Sequence, residues 1–277
     1  MFKQYEKEYL DGTPAISIIK KYGLPQDSFY KYLSDVGIKR SMREAHSVYN
    51  INQDVFEKVN SEQGAYFLGL LFADGTLSVK KQSVRLKLSY KDLEIIESFK
   101  LFLQYDGPIK KREYSKKNKN WQDQVGIDIY NKKLNDDLFI LGMVPAKSLI
   151  LKMPNIPKEY LKDFIRGYYD GDGGIYIYKN KKRFNIQFTS SSEFIESLSK
   201  IFKNKFGFAG TITSRHNNNC KTMMIGGEQQ IIRLLDWLYS DATIFINRKH
   251  QQYLEAKEIQ SKKRKYNYVP NIKSNCG

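Results

Sequence analysis

Two nine-residue segments constrain this chain more than any other feature. Phe67-Leu68-Gly69-Leu70-Leu71-Phe72-Ala73-Asp74-Gly75 and Ile165-Arg166-Gly167-Tyr168-Tyr169-Asp170-Gly171-Asp172-Gly173 share a pattern 98 positions apart. Each reads as the last turns of a helix. Gly69 and Ala73, like Gly167 and Gly171, are small residues four apart, so they share a helix face on which another helix backbone can come close. A glycine inside a helix costs about 1 kcal/mol relative to alanine, which points to a packing reason for keeping it. The terminating Gly75 and Gly173 suggest left-handed C-terminal caps. Asp74 and Asp172 then fall in the last turn, where the helix dipole disfavours a carboxylate by about 0.3 to 1 kcal/mol. The same violation of local rules, made twice, argues for two helices that present a pair of carboxylates together.

The surroundings repeat as well. After Asp74, strand-like alternation runs from Thr76 to Ser89 and a helix begins near Lys91; after Asp172, alternation runs from Ile175 to Thr189 and a helix begins near Glu193. A second pair of strands follows in each copy. In the first it flanks Gly107-Pro108 and the polar loop 115–120, with Val125, Ile127 and Ile129 alternating against Gln124, Gly126 and Asp128; in the second it flanks Asn217-Asn218-Asn219. Duplication of one α/β unit of about 100 residues explains this. The expected organisation is a small helical segment over 1–40, a linker over 41–60, halves over 61–155 and 156–260, and a basic tail over 261–277.

Composition narrows the chemistry. The net charge is +16, which suits a polyanionic partner without distinguishing DNA from RNA or an anionic membrane. No run of eighteen apolar residues occurs, and the charged start Met1-Phe2-Lys3-Gln4 does not read as a signal peptide, so a soluble, cytoplasmic protein without membrane partners is expected. Cys220 and Cys276 lie far apart, and His46, His216 and His250 are scattered. Neither a zinc site nor a histidine-based nuclease centre is indicated, and a metal would be held by oxygen. Paired carboxylates of this kind suit Mg²⁺, which keeps several waters and accepts phosphate oxygens. Phosphodiester hydrolysis is the chemistry that joins such a site to a basic surface.

Both segments resemble the LAGLIDADG motif of homing endonucleases, and their spacing resembles that of single-chain members with two motifs. The resemblance covers about residues 60–260. It implies an α/β (α+β) protein of two pseudo-symmetric αββαββα halves forming an antiparallel β saddle, here preceded by a small helical domain. It also implies that Asp74 and Asp172 bind metal and are catalytic, that the backbone carbonyls of Ala73 and Gly171 add ligands, and that Mn²⁺ substitutes for Mg²⁺ while Ca²⁺ supports binding without efficient cleavage. Basic residues late in each half assist in the family, and Lys147 and Lys249 occupy comparable places. Phe72 departs from the motif where the second copy has Asp170, and Asp170 reads as structural.

Strand alternation selects Arg85, Lys87 and Ser89, then Arg183, Asn185, Gln187 and Thr189, as candidate DNA contacts opposite an apolar set. Residues 15–22 and 26–36 read as two short helices joined by Gly23-Leu24-Pro25, with Ile16, Ile19, Tyr22, Phe29, Leu33 and Val36 inward. This resembles a helix-turn-helix in which Ser28, Lys31 and Tyr32 face a groove; a packing or dimerisation hairpin is the alternative. Gly174-Ile175-Tyr176 reads as strand rather than a second nuclease signature, and the tail from Lys262 as a solvated extension. Met1 and Asn275-Cys276-Gly277 do not read as protein-splicing termini. The expected function is that of a monomeric, site-specific endonuclease on double-stranded DNA with a long, partly asymmetric target. An RNA maturase or a DNA-binding regulator on the same scaffold is the alternative.

Overall fold

The computed structural model describes residues 2–10, 13–38, 49–116, 118–178, 183–214 and 219–267, with side chains through residue 262. His46, His216, Cys276, residues 41–48 of the expected linker and residues 268–277 of the expected tail lie outside the described residues. Contacts divide the chain into two compact units, residues 1–57 with 77–137, and residues 58–76 with 138–277.

The first unit begins with α1 (Glu6–Leu10), α2 (Ala15–Tyr22) and α3 (Gln26–Asp35). Gly23, at φ +62°, closes α2 in the left-handed region, a conformation glycine adopts without strain. Tyr9, Ala15, Ile18, Ile19, Phe29 and Leu33 form a small core of their own. The expected inward faces need correction: Ile18 replaces Ile16 as the buried residue of α2, while Tyr22 and Val36 are exposed. Spacing alone allowed either register, and the one adopted places two adjacent isoleucines against α3.

The remainder of this unit is a four-stranded antiparallel sheet in the order β1-β2-β4-β3, from β1 (Gly75–Ser78), β2 (Ser83–Ser89), β3 (Lys110–Arg112) and β4 (Gln124–Tyr130). Val84, Leu86, Leu88, Val125, Ile127 and Ile129 are buried on one face, as a period of two requires. Helix α5 (Leu93–Phe102) packs on the sheet and contributes Ile95, Ile96 and Phe99 to its core. Helix α6 (Lys132–Ile140) follows β4 and leads out of this unit.

The second unit contains both motif helices, α4 (Glu62–Asp74) and α7 (Leu161–Asp172). Ser61 caps α4 by accepting from the Gly64 N–H at 3.0 Å. Every residue from Gly64 to Ala73 is buried, as expected for a helix that is apolar all round. A second sheet repeats the first order, β5-β6-β8-β7, from β5 (Gly174–Tyr178), β6 (Arg183–Ser191), β7 (Thr211–Ser214) and β8 (Cys220–Ile225). With α8 (Ser192–Phe206), α9 (Glu228–Tyr239) and the additional α10 (Asn247–Asn267), both copies follow the expected αββαββα order. The first copy's motif helix, however, makes its contacts with the second unit.

The reason is steric. A Cβ on Gly69 would run into the carbonyl oxygen of Phe164 and lie 2.8 Å from the backbone nitrogen of Tyr168; one on Gly167 would run into the Tyr66 carbonyl and lie 2.9 Å from the Leu70 nitrogen. The two backbones touch at these points, each glycine facing the other helix. Gly69→Ala and Gly167→Ala are therefore expected to destabilise the chain by about 1–3 kcal/mol each through overpacking. Urea titration of the purified variants checks this; unchanged midpoints would show that the helices separate at little cost.

Candidate metal and phosphate site at the paired helix ends

The close approach carries through to the helix ends. A Cβ on Gly171 would meet the Ala73 methyl and lie 2.7 Å from Asp74 Oδ2, so the Asp74 carboxylate lies against α7 one residue before Asp172. Neither terminating glycine is left-handed, which corrects the expected cap: Gly75 has φ −73° and ψ 154°, and Gly173 has φ −77° and ψ 162°. Both chains leave the helix in extended conformation. Glycine is needed there because a Cβ would crowd the preceding turn, at 2.8 Å from Leu71 Cα and Met143 Cε for Gly75, and at 2.6 Å from the Tyr169 carbonyl oxygen for Gly173.

Burial first, and then the like charge of Asp172, pushes the Asp74 carboxyl up to about 6, against the pull of Lys147, Arg248 and Lys249. Asp172 opens further to solvent, yet the surrounding protein also raises its carboxyl above the ordinary range, opposed by Lys147 and Lys249. Lys147 Nζ donates to the carbonyls of Ala73 at 2.6 Å and Gly75 at 2.8 Å, and Lys249 Nζ donates to the Gly173 carbonyl. Each half thus sends one ammonium to the carbonyl end of a motif helix, where a cation is favoured. Burial lowers the Lys147 ammonium from its ordinary value, against the attraction of Asp172 and Asp74. Ala146, just before it, is held at φ +52°, so the turn that delivers Lys147 is strained.

Asp170 is enclosed and does not join this pair. It accepts from Tyr66 Oη at 2.8 Å, from Tyr239 Oη and from the backbone N–H of Ile246 at 2.8 Å. Burial raises its carboxyl, and those three donors oppose the rise. Beside it lies Arg166, fully buried, whose guanidinium bonds Asp163 at 2.7 Å, Glu62 at 2.6 Å and the carbonyls of Leu238 and Ile244 at 3.0 Å. Sequence reasoning missed this network; an arginine within an otherwise small-and-apolar motif is the signal that pointed to it. Phe72, at the position matching Asp170, packs edge-on against Phe164 at 5.3 Å.

The remaining candidates fall on two sheet faces and a helix. Arg85 bonds Asp128, which also accepts from Lys110 at 3.0 Å; burial works against the Asp128 charge, but these two cations hold its carboxyl below the usual range. Lys87 pairs with Gly126, across which Lys110 lies on β3, and it lines a shallow hollow with Lys110 and Arg112. Ser89 caps the turn 90–92 and bonds Gln122 at 3.4 Å. In the second sheet, Gln187 donates to Thr189 at 3.2 Å, Thr189 pairs with Thr222 at 2.9 Å, and Arg183 is exposed. On α3, Ser28 and Lys31 are exposed, whereas Tyr32 is committed to the hairpin itself: it bonds Glu6 and packs on Phe2 at 5.5 Å. Residues 1–38 hold five lysines against five acidic residues, so the positive excess lies beyond them.

Residues 159–260 match the family model described as a LAGLIDADG-like domain. The chain is 26% identical over 179 residues to the protein MJ0314 of Methanocaldococcus jannaschii, covering 60% of this chain and 64% of that one. It is 27% identical over 175 residues to the probable translation initiation factor IF-2 of Thermococcus kodakarensis, covering 60% of this chain and 13% of that one. The chain therefore spans less than two thirds of either relative. Similar solved structures include the I-LtrWI LAGLIDADG homing endonuclease bound to target DNA, at 13% identity and TM-score 0.49, over 77% of this chain and 92% of that one. Another is full-length DUF199/WhiA from Thermatoga maritima, at 15% identity and TM-score 0.49, over 78% of this chain and 70% of that one. Among the described residues, no helix is long and apolar enough to cross a membrane.

A carboxyl whose folded pKa is raised contributes stability below its unfolded pKa and loses it as pH climbs through the folded value. Asp74→Asn is thus expected to gain stability over the parent chain as pH rises from 4 through 6. Discounted for partial exposure, the gain is on the order of 1–2 kcal/mol at pH 7. Thermal melts of both proteins across that range, without divalent cation, test it; a stability difference independent of pH would show that the carboxyl is not perturbed.

Proposed function

We propose that this chain is a metal-dependent endonuclease that cuts double-stranded DNA at a specific site. The observation that carries the reading is the pair of aspartates at the ends of two touching helices, both with carboxyls raised above their ordinary range. Two crowded carboxylates at the negative ends of two helix dipoles are a donor set that suits a hard divalent cation such as Mg²⁺, or Mn²⁺ in its place. Among the described residues no three His, Cys, Asp or Glu side chains converge, so the rest of a cation's shell would come from water, backbone or phosphate oxygens. When bound, such a cation supplies charge neutralisation at the phosphate and a more acidic water.

The protein's own groups divide the remaining work. Asp74 and Asp172 would hold the cation; Lys147 and Lys249 fix the helix-end carbonyls and add positive charge where a phosphate would lie. Apart from Arg85 and Arg183, the candidate contact residues of the two sheets differ, which suits one chain reading a long, partly asymmetric target as a monomer. One observation favours a second reading, a DNA binder without cleavage: the Ala73 carbonyl, expected as a metal ligand, already accepts from Lys147. An RNA maturase would share the same fold and acids.

Incubation with a randomised duplex library and Mg²⁺ separates these readings. The parent chain is expected to cut a defined site, whereas Asp74→Asn and Asp172→Asn each lose at least about 100-fold in rate while still binding that site. Full cleavage by either variant would overturn the assignment. Binding without cutting by the parent would favour the regulator, and retention of structured RNA alone the maturase. For the helical hairpin, Lys31→Ala is expected to weaken binding to specific and random duplexes alike by a few-fold; affinity unchanged from the parent chain on both would remove the hairpin from the DNA interface.

A further inference from the structure

The two sheets carry different chemistry on their polar faces. The register places Arg85 opposite Asp128, Gly126 between Lys87 and Lys110, and Gln124 opposite Arg112, so four cations and one acid share the β1–β4 face. Arg85 is anchored through Nε to Asp128, which leaves its terminal amines as the donors directed elsewhere. Burial, followed by repulsion from Arg85 and Arg112, lowers the Lys87 ammonium, as expected where cations are packed together without enough counter-charge.

Among the described residues the β5–β8 face is nearly neutral, with Arg183 its one charged group; Tyr176 pairs with Asn185, and Gln187 with Met224. Tyr176, Tyr178 and Met224 stand about half exposed. Asn185 is loosely held. Its Nδ2 reaches Tyr178 Oη at 3.5 Å and Met224 Sδ at 3.8 Å, and its Oδ1 is the one buried side-chain oxygen or nitrogen without a hydrogen-bond partner among the described residues. An amide in that state has an unused acceptor and a weakly used donor side by side.

In a DNA major groove, arginine and lysine match the two acceptors of guanine and also grip phosphates; asparagine and glutamine match the donor–acceptor pair of adenine, and apolar groups match the thymine methyl. We propose that the sheets read opposite base-pair classes: the β5–β8 sheet reads an A·T segment through Asn185 and Gln187, with Met224 and Tyr176 against thymine methyls, and the β1–β4 sheet reads guanines and phosphates. This rests on the DNA-binding reading above and adds which bases each sheet selects. Asn185 engages adenine by turning its amide as Tyr178 swings aside, so that Oδ1 accepts from the adenine amine.

The test is selection of bound duplexes from a random library by the full chain carrying Asp74→Asn. The expected consensus has an A·T segment and a separate G·C-containing segment. Asn185→Ala and Gln187→Ala relax positions only in the A·T segment and leave the salt dependence of binding unchanged. Lys87→Gln and Lys110→Gln keep the A·T positions and each reduce the slope of log affinity against log salt by about 1. Deoxyuridine in place of thymidine in the A·T segment, which needs no protein variant, weakens binding about threefold per contacted methyl. An unchanged consensus with both amide variants, or loss confined to G·C positions, overturns the proposal while leaving DNA binding intact. A chain that retains no duplex at any salt concentration overturns the DNA reading itself, and this inference with it.

Discussion

Everything in the second unit follows from two places where one helix backbone touches another. Gly69 faces the Phe164 carbonyl and Gly167 faces the Tyr66 carbonyl, and no side chain larger than hydrogen fits between them. That contact sets the separation of α4 and α7, and therefore how closely their C-terminal ends can bring Asp74 and Asp172. The pairing has a cost in electrostatics, since two carboxylates face the negative ends of two dipoles. The fold offsets it with two lysines, one from each copy, placed on carbonyls at those same ends. Stability is sacrificed locally at the point where a bound cation would restore it, a common trade at functional sites.

The duplication is regular in topology and irregular in chemistry. Both sheets have the same strand order and both motif helices end in aspartate and glycine. Phe72 and Asp170, at matching positions, do opposite things. Phe72 fills space against Phe164, while Asp170 gathers Tyr66, Tyr239 and the Ile246 N–H, tying α7 to α9 and to the start of α10. Because Lys249 lies in the first turn of α10, with its backbone N–H donating to the Ile246 carbonyl at 2.9 Å, the buried carboxylate also steadies the element that carries this lysine. Arg166 adds a second tie through Glu62, at the start of α4, and the Ile244 carbonyl.

Much of this was legible in the chain because its signals are local and repeated. Small residues four apart identified the close helix faces, and alternation over 83–89 and 183–189 identified the strands and their exposed side chains. Other features are not written in local patterns. The backbone conformation of Gly75 and Gly173 depends on what a Cβ would strike in the preceding turn, and a terminal glycine alone does not separate that cause from a left-handed cap. The roles of Tyr66 and Tyr239 require partners 104 and 69 positions from Asp170. Ile18, not Ile16, is buried in α2 because the helix register answers to α3, which periodicity over eight residues does not resolve.

The motif helices of the two copies, α4 and α7, pair within one compact unit of a single polypeptide. A helix buried on every side has no soluble existence apart from its partner. Cut apart, each copy would lose the partner of its motif helix, and the face of α4 that Gly69 turns to α7, within a helix buried from Gly64 to Ala73 in the intact chain, would be uncovered.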